Sequence, residues 1–336
     1  MAAHLRGKAV YVASIVPGIF KHIQKLLPNE SIIQVDLELH KDNVLTNELK
    51  LQIKDAEVLV AGPRLIAELM YATDLKLKLV VCSTAGVNVM MNKLDNSKGE
   101  PAFTMVRTGE GYGQILGEYV LGHIIATERR FKEAYSQQKE HNWAKDSLKS
   151  FRLLSNVNIG ILGVGQIGKE VARICKFMGM TVTGIQRKNS TAPPCQHVDT
   201  YGLLENLADV LPQLDYLCSI LPSTPQTKNL LSGDILSHCK TKKAVFINVG
   251  RGDVIDEDSL VKAIKCEWIG GAILDVFNQE PLPATSELWD LSNVSISPHV
   301  AGASLAEQVA ECFVDNYKRY INGEQLKYQV DWKKGY

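Results

Sequence analysis

The stretch Asn156–Met180, NVNIGILGVGQIGKEVARICKFMGM, decides the fold of this chain. An apolar run typical of a buried strand, Val157 to Leu162, leads into the hexapeptide GVGQIG and then into a helical pattern. The first glycine makes the tight turn, the second lets the backbone approach a pyrophosphate, and the third lets the helix pack on the strand. A second strand, MTVTGIQ, follows, so we favour a dinucleotide site over a glycine turn without a ligand. The predicted contacts are Gly163, Gly165, Gln166, Ile167 and Gly168.

Short apolar runs rich in β-branched residues alternate with helical patterns on both sides of this stretch. The runs KAVYVAS, AEVLVAG and LKLVVCST precede it, with helical patterns such as GIFKHIQKLL between them. A second alternating series extends from Val157 to about Ile296. This alternation predicts an α/β protein with parallel sheets covered on both faces. A length of 336 residues suggests two domains.

Composition excludes several classes of function. The formal net charge is zero, so we expect no nucleic-acid partner. No run of about 18 apolar residues is present, so we expect no membrane span. The first residues, MAAHLRGKAVYVAS, lack the apolar core of a signal peptide, so we expect a cytoplasmic protein. Seven cysteines without a CxxC pair predict buried reduced thiols rather than disulfides or a metal site.

The strand after the glycine loop ends without an acidic residue. An Asp or Glu about 20 positions beyond the loop would bind the ribose 2′-hydroxyl of NAD. Here the strand ends in Gln186, Arg187 and Lys188. An arginine at this place binds a 2′-phosphate well. We therefore predict that NADP(H) is preferred, with NAD(H) and plain solvated surface charges as the alternatives.

Four charged or titratable residues follow later strands of the second series. Arg251 lies between two glycines after AVFIN, Asp275 and Glu280 follow GGAIL, and His299 follows VSISP. Each has a structural explanation when taken alone, such as an ion pair, a helix cap or a packed histidine. Ligands of open parallel sheets bind beyond the carboxyl ends of the strands. Four such residues beside a dinucleotide loop therefore favour an active site.

These motifs resemble the D-isomer-specific 2-hydroxyacid dehydrogenase family over nearly the whole chain. The resemblance is carried by GILGVGQIGKEVA, LPSTPQT, INVGRGDVIDEDSL, GAILDVFNQEPLP and SPHVAGAS, in that order. It implies that Arg251, Glu280 and His299 are the catalytic residues and that Asp275 lies on the nicotinamide side. The segment Gln186–Lys188 and the closing VDWKKGY look most like the glyoxylate/hydroxypyruvate reductase branch. The remaining cofactor contacts that it implies are Leu221, Pro222 and Val249.

The implied reaction is the NADP(H)-preferring reduction of small 2-oxo acids. Arg251 would bind the substrate carboxylate with its planar, permanently charged fork. His299 would donate the proton, and Glu280 would favour the imidazolium, because an ordinary histidine pKa is only about 6.5. By the same resemblance, the backbone of Ala85 and Gly86 would bind the substrate carboxylate. The segment Val87–Val89 departs from the family pattern, which commonly has an aspartate there.

The resemblance also implies a domain arrangement and an assembly. It predicts two doubly wound, Rossmann-like lobes: a flavodoxin-like substrate lobe (residues 1–105 and 300–336) and an inserted dinucleotide lobe (106–299). Residues 113–151 would form a homodimer contact, in which Trp143 would either reach a neighbouring subunit or, as we favour, pack in the core. Three alternatives remain: an NAD-dependent D-lactate- or phosphoglycerate-type dehydrogenase, a dinucleotide-sensing corepressor and a Rossmann-type methyltransferase.

Overall fold

The computed structural model shows two compact units. Unit 1 comprises residues 1–111 and 304–336, and unit 2 comprises residues 112–303. These boundaries lie six and four residues beyond the predicted ones at 105 and 299. A strand of unit 1 continues to Arg107, and the backbone N–H groups of Val300 and Ala301 donate to Asp275 of unit 2. The structure describes residues 8–37, 45–95, 97–109, 111–187 and 194–333.

Unit 1 is a five-stranded parallel sheet with helices on both faces. Its strands follow the order β2-β1-β3-β4-β5, the flavodoxin-like order that the sequence analysis predicted. The two central strands β3 and β4 are buried at every residue, as expected for a parallel sheet covered on both faces. Its elements are β1 (Val10–Ala13), α1 (Ile19–Leu26), β2 (Ile32–Gln34), α2 (Asn47–Ile53), β3 (Val58–Ala61), α3 (Pro63–Leu69), β4 (Leu79–Cys82), α4 (Asn88–Met91), β5 (Thr104–Arg107) and the C-terminal helix α11 (Ala306–Asn322).

Unit 2 is a seven-stranded parallel sheet. Its strands and helices are α5 (Tyr112–Glu128), α6 (Phe131–Lys139), α7 (Lys145–Leu148), β6 (Asn158–Leu162), α8 (Gln166–Phe177), β7 (Thr181–Gln186), β8 (Thr200–Leu203), α9 (Leu207–Val210), β9 (Tyr216–Ser219), β10 (Val245–Asn248), α10 (Glu257–Lys265), β11 (Gly271–Leu274) and β12 (Val294–Ile296). Short 3-10 turns cover Leu154–Asn156, Leu204–Asn206, Leu211–Gln213, Ile235–Cys239, Gly252–Val254 and Glu287–Trp289.

The order of these seven strands locates the ligand edge of unit 2. The sheet runs β12-β11-β10-β9-β6-β7-β8, which is the doubly wound order 3-2-1-4-5-6 with one strand added. The strand order reverses between the parallel neighbours β6 and β9, where the loops that follow the two strands lead to opposite faces of the sheet and leave a crevice. Four loops, those after β9 to β12, therefore lie at one edge together with the glycine loop after β6.

Two expectations about single side chains need correction. Trp143 is 91% exposed, so the prediction that it packs in the core is wrong. Its segment between α6 and α7 is short and polar, and α6 itself buries no residue. All seven cysteines are free, and six are buried as predicted, but Cys266 is exposed at the end of α10. Within the described ranges, no helix is long and apolar enough to span a bilayer.

Candidate active site

The glycine loop after β6 has the geometry that a dinucleotide needs. Gly163 has φ 99°, a left-handed conformation that glycine adopts without cost. A Cβ on Gly168 would lie 2.1 Å from the carbonyl oxygen of Gly163, so helix α8 packs directly on the turn. A Cβ on Gly165, in contrast, would meet no atom within 4 Å. The space at the N-terminus of α8 therefore suits a pyrophosphate, as proposed for the three glycines.

Close backbone approaches explain the two glycines around Arg251. A Cβ on Gly250 would lie 2.8 Å from the backbone of Leu221, and one on Gly252 would lie 1.9 Å from the carbonyl carbon of Phe277. The loop after β10 is therefore held between the loops after β9 and β11. Asn248 is 1% exposed, and its side-chain amide donates to Arg251 O at 3.0 Å and accepts from Gly250 N at 3.2 Å. These contacts fix the position from which the guanidinium extends.

Arg251 is a half-buried cation near an acidic partner. Its Nη1 donates to the carbonyl oxygen of Gly250 at 2.6 Å. Burial lowers the pKa of Arg251, and the charges of Glu280 and Asp253 oppose that shift. An arginine remains protonated at neutral pH even so. The site therefore holds a permanent positive charge where solvent screens it weakly, which suits an anionic ligand.

Glu280 and His299 are in direct contact, as the family resemblance implied. Glu280 Oε2 lies 2.7 Å from His299 Nδ1, and Glu280 Oε1 accepts from Phe277 N at 3.0 Å. Because Glu280 holds Nδ1, the other ring nitrogen, Nε2, is the one that can exchange a proton with a ligand. His299 has φ 55°, a left-handed conformation that persists in a side-chain-bearing residue only when its surroundings hold it.

The carboxylate of Asp275 is directed at the loop that carries His299. Asp275 directly follows β11 and is 1% exposed. Its Oδ1 accepts from Ser297 Oγ at 2.5 Å and from Val300 N at 2.9 Å, and its Oδ2 accepts from Ala301 N at 3.0 Å. Its backbone oxygen also accepts from His299 N at 2.8 Å. The role of Asp275 toward a nicotinamide stays a prediction.

The remaining predicted cofactor contacts lie along the same edge. Leu221 and Val249 are buried, and Pro222 is exposed. The loop that contains Pro222 is stabilised by Thr227 Oγ1, which donates to Pro222 O at 2.6 Å. Gln186 ends β7, and Arg187 follows it as an exposed side chain. Lys188 lies outside the described residues.

The predicted substrate loop belongs to unit 1. Ala85 and Gly86 follow β4, between Cys82 and α4. Thr84 Oγ1 donates to Gly86 O at 3.1 Å, and Thr108 N donates to Thr84 O at 3.2 Å, so strand β5 supports this loop. Both residues lie at the carboxyl end of their own parallel sheet, which is where such sheets bind ligands. Their contact with a substrate stays a prediction.

Two residues near the site were missed by the sequence analysis. Ser297 follows β12 and donates to Asp275. Tyr119 on α5 lies with its hydroxyl 2.6 Å from Ser297 Oγ. The position of Ser297 between a strand and His299 is a signal that could have been used, but nothing in the sequence links Tyr119 to a residue so far along the chain.

Comparison with known proteins points to one family. A model of the "D-isomer specific 2-hydroxyacid dehydrogenase, NAD binding domain" matches residues 121–301. A glyoxylate/hydroxypyruvate reductase A from Escherichia fergusonii is 30% identical over 265 residues, which is 77% of this chain and 82% of that protein. A D-3-phosphoglycerate dehydrogenase from Synechocystis sp. is 31% identical over 87% of this chain. The chain spans about half of that longer relative, 52% of its length.

Solved structures are similar over the whole length. A D-isomer specific 2-hydroxyacid dehydrogenase family protein from Aeromonas salmonicida has a TM-score of 0.82 and 31% identity, with 97% of this chain and 99% of that chain covered. An NADPH-dependent glyoxylate/hydroxypyruvate reductase from Sinorhizobium meliloti, solved with NADP and sulfate, has a TM-score of 0.78 and 25% identity. The match covers 98% of this chain and 99% of that one.

Proposed function

Since the chain belongs to the D-isomer-specific 2-hydroxyacid dehydrogenase family and is an NAD(P)-dependent oxidoreductase, we propose that it reduces small 2-oxo acids. Glyoxylate and hydroxypyruvate are the proposed substrates, and NADPH is the proposed reductant. The observation that carries this proposal is the 2.7 Å pair of Glu280 and His299. It lies on the same sheet edge as Arg251 and the glycine loop.

In the proposed reaction, Arg251 binds the anionic end of the substrate. Its planar fork matches a carboxylate, and its charge polarises the adjacent 2-oxo group. The guanidinium is placed by Asn248 and by the two glycines rather than by a flexible loop. Preorganisation of this kind makes electrostatic stabilisation effective, because little rearrangement is needed as charge develops on the oxygen.

His299 is the proposed proton donor to the reduced oxygen. Glu280 fixes the ring through Nδ1, so that Nε2 is the nitrogen that carries the proton to be transferred. In the reverse reaction the neutral ring accepts that proton from the 2-hydroxyl group. A nicotinamide cofactor, when bound, supplies or accepts the hydride.

The preference for NADPH rests on the end of β7. Arg187 is exposed there, and no acidic residue takes the place of the ribose-binding carboxylate. The Sinorhizobium meliloti reductase, described as NADPH-dependent and solved with NADP, supports the same preference. We propose that Arg187, together with Lys188, binds the 2′-phosphate.

We also propose a homodimer formed through residues 113–151. Large apolar side chains of this segment are exposed, among them Phe131, Tyr135, Trp143 and Phe151. Exposed apolar groups clustered in one segment are typical of a protein–protein contact. The cytoplasmic location stays a prediction.

The proposal is tested by offering glyoxylate and hydroxypyruvate against NADPH and NADH in parallel and following the absorbance of the reduced nicotinamide. We expect rapid oxidation of NADPH and slower oxidation of NADH. Equal or faster rates with NADH would contradict the role of Arg187 but not that of the three catalytic residues. An absence of turnover with either reductant, while NADPH still binds, would contradict the proposed activity.

A second candidate is an NAD-dependent dehydrogenase that acts on a phosphorylated 2-hydroxy acid. The 31% identity to a D-3-phosphoglycerate dehydrogenase favours it. Oxidation of 3-phosphoglycerate with NAD, faster than any reduction with NADPH, would establish this alternative.

A further inference from the structure

A chain of hydrogen bonds joins helix α5 to the loop of His299. Tyr119 Oη lies 2.6 Å from Ser297 Oγ, and Ser297 Oγ lies 2.5 Å from Asp275 Oδ1. The comparisons attach no role to Tyr119 or Ser297. These hydrogen bonds therefore link helix α5 to the loop of His299 through the side chains of Tyr119, Ser297 and Asp275.

The direction of these hydrogen bonds follows from the chemistry of the groups. An ionised carboxylate only accepts hydrogen bonds, and a serine hydroxyl has one proton to donate. Ser297 therefore donates to Asp275, and Tyr119 must donate to Ser297. Burial and the nearby charge of Asp275 raise the pKa of Tyr119, so its hydroxyl keeps the proton that it donates.

Asp275 connects this series of hydrogen bonds to the backbone around His299. Three consecutive N–H groups, those of His299, Val300 and Ala301, donate to its backbone oxygen and its carboxylate. The carboxylate itself accepts from two of them, Val300 N and Ala301 N, while His299 N donates to the backbone oxygen. These hydrogen bonds also hold His299 in its left-handed conformation, at φ 55°. A displaced Asp275 would therefore displace the ring of His299.

Tyr119 is itself held in place on α5. The ring of His123, one helical turn further along, lies 4.4 Å from the ring of Tyr119, measured between centroids. Burial lowers the pKa of His123, although the charge of Asp275 opposes that shift, so the ring is neutral at neutral pH. The two rings form a side-chain pair at the i, i+4 spacing of a helix.

We propose that Tyr119 is a positioning residue for His299, acting through Ser297 and Asp275. The Tyr119 hydroxyl orients Ser297, Ser297 orients the Asp275 carboxylate, and the carboxylate holds the loop in which His299 faces Glu280. The kinetic consequences rest on the proposed function, whereas the structural consequence for the loop does not.

The kinetic test compares Tyr119→Phe, Ser297→Ala and Ser297→Thr with the wild-type enzyme. Tyr119→Phe removes one neutral hydrogen bond, so we expect kcat to fall about fivefold. Ser297→Ala removes a bond to a charged acceptor, so we expect a fall of about tenfold or more. The KM values should change less than about twofold, because neither residue is proposed to touch a ligand. Ser297→Thr keeps the hydroxyl and should recover most of the activity.

A double-mutant cycle distinguishes an effect transmitted through these hydrogen bonds from a general loss of stability. If Tyr119 acts only through Ser297, Tyr119→Phe should have no further effect on kcat in the Ser297→Ala background. Tyr216→Phe is a matched control, because it removes a buried hydroxyl from the same unit, 2.7 Å from Glu128 Oε1. It should lower the melting temperature without changing kcat. Multiplicative effects of the two substitutions would overturn the proposal.

Amide hydrogen exchange tests the same series of hydrogen bonds and needs no catalytic turnover. We expect the amides of Val300 and Ala301 to exchange several-fold faster in Tyr119→Phe than in the wild type or in Tyr216→Phe. Unchanged exchange at these two amides would overturn the proposal even if the enzyme is active. Faster exchange in a protein that turns over no 2-oxo acid would instead contradict the proposed function alone.

Discussion

The substitution Glu280→Gln removes the negative charge beside His299 and keeps the size of the side chain. Glu280 accepts two hydrogen bonds, one from His299 Nδ1 and one from Phe277 N. Glutamine has one carbonyl oxygen and no charge, so the hydrogen bond to the ring loses its charged acceptor. We therefore expect kcat for the reduction of 2-oxo acids to fall, while the KM for the substrate changes little.

The distance and exposure of the pair set the size of the effect. Nδ1 and Oε2 are 2.7 Å apart, and a charge-assisted hydrogen bond contributes about 1.5–3 kcal/mol. The side chains of His299 and Glu280 are 50% and 36% exposed, so solvent screening brings the value to the lower end, about 1.5 kcal/mol. A loss of this size corresponds to about a tenfold decrease in kcat.

The assay is the steady-state rate of glyoxylate reduction by NADPH at neutral pH, from which kcat and KM are determined. We expect kcat to be about tenfold lower in Glu280→Gln than in the wild type. Glu287→Gln is the control, since Glu287 is an exposed partner of Lys265 in the same unit. Its kcat should match that of the wild type.

Two results would refute this reasoning. If both kcat and KM of Glu280→Gln match the wild type, the contact between Glu280 and His299 contributes nothing to the reaction. If the KM for glyoxylate rises while kcat is unchanged, Glu280 acts on substrate binding and not through His299.

Three further predictions concern binding and stability. Arg187→Ala should raise the KM for NADPH about tenfold or more and leave the KM for NADH unchanged. Equal effects on the two KM values would exclude a contact between Arg187 and the 2′-phosphate. Arg251→Lys should lower kcat/KM for glyoxylate about a hundredfold, because an ammonium group cannot make the bidentate hydrogen bonds of a guanidinium. A change below threefold in the steady-state kcat/KM would contradict the proposal that Arg251 binds the carboxylate. Burial opposes ionisation of Asp215, but hydrogen bonds from Asn158 N, Lys242 and Arg152 outweigh it and lower its pKa. The ionised Asp215 should therefore stabilise the fold at neutral pH, and this contribution should be lost as the pH falls below about 4. Asp215→Asn should have a lower melting temperature than the wild type at neutral pH, and its melting temperature should decrease less on acidification. An equal decrease in the two proteins would refute this role of Asp215.

Local patterns were enough to predict the two sheets, and the family resemblance implied the contact between Glu280 and His299. The alternation of strands and helices predicted two parallel sheets, and both observed strand orders are of the doubly wound kind. Glu280 and His299 both follow strands that lie side by side in one sheet. The glycines around Arg251 could be recognised as a motif, but their cause lies in the backbones of Leu221 and Phe277, which approach only in the folded chain.

Features that depend on contacts between distant segments were not predictable. Tyr119 and Ser297 are 178 residues apart, and one tyrosine in an apolar helix pattern carries no sign of its partner. Trp143 was expected in the core because of its large apolar ring, yet its polar segment leaves the ring exposed. The second unit boundary follows residue 303, and the amides of Val300 and Ala301 are bound by Asp275 of unit 2, a contact that the sequence does not reveal.

The most direct test of the proposed mechanism is a single-turnover measurement on the complex with NADPH. Wild-type protein and His299→Gln are each mixed with glyoxylate, and the loss of reduced-nicotinamide absorbance is followed over one turnover, with NADPH affinity measured separately by fluorescence. We predict a rapid phase in the wild type and a rate at least about a hundredfold lower in His299→Gln, at equal affinity for NADPH. Equal single-turnover rates in the two proteins would contradict the assignment of His299 as the proton donor.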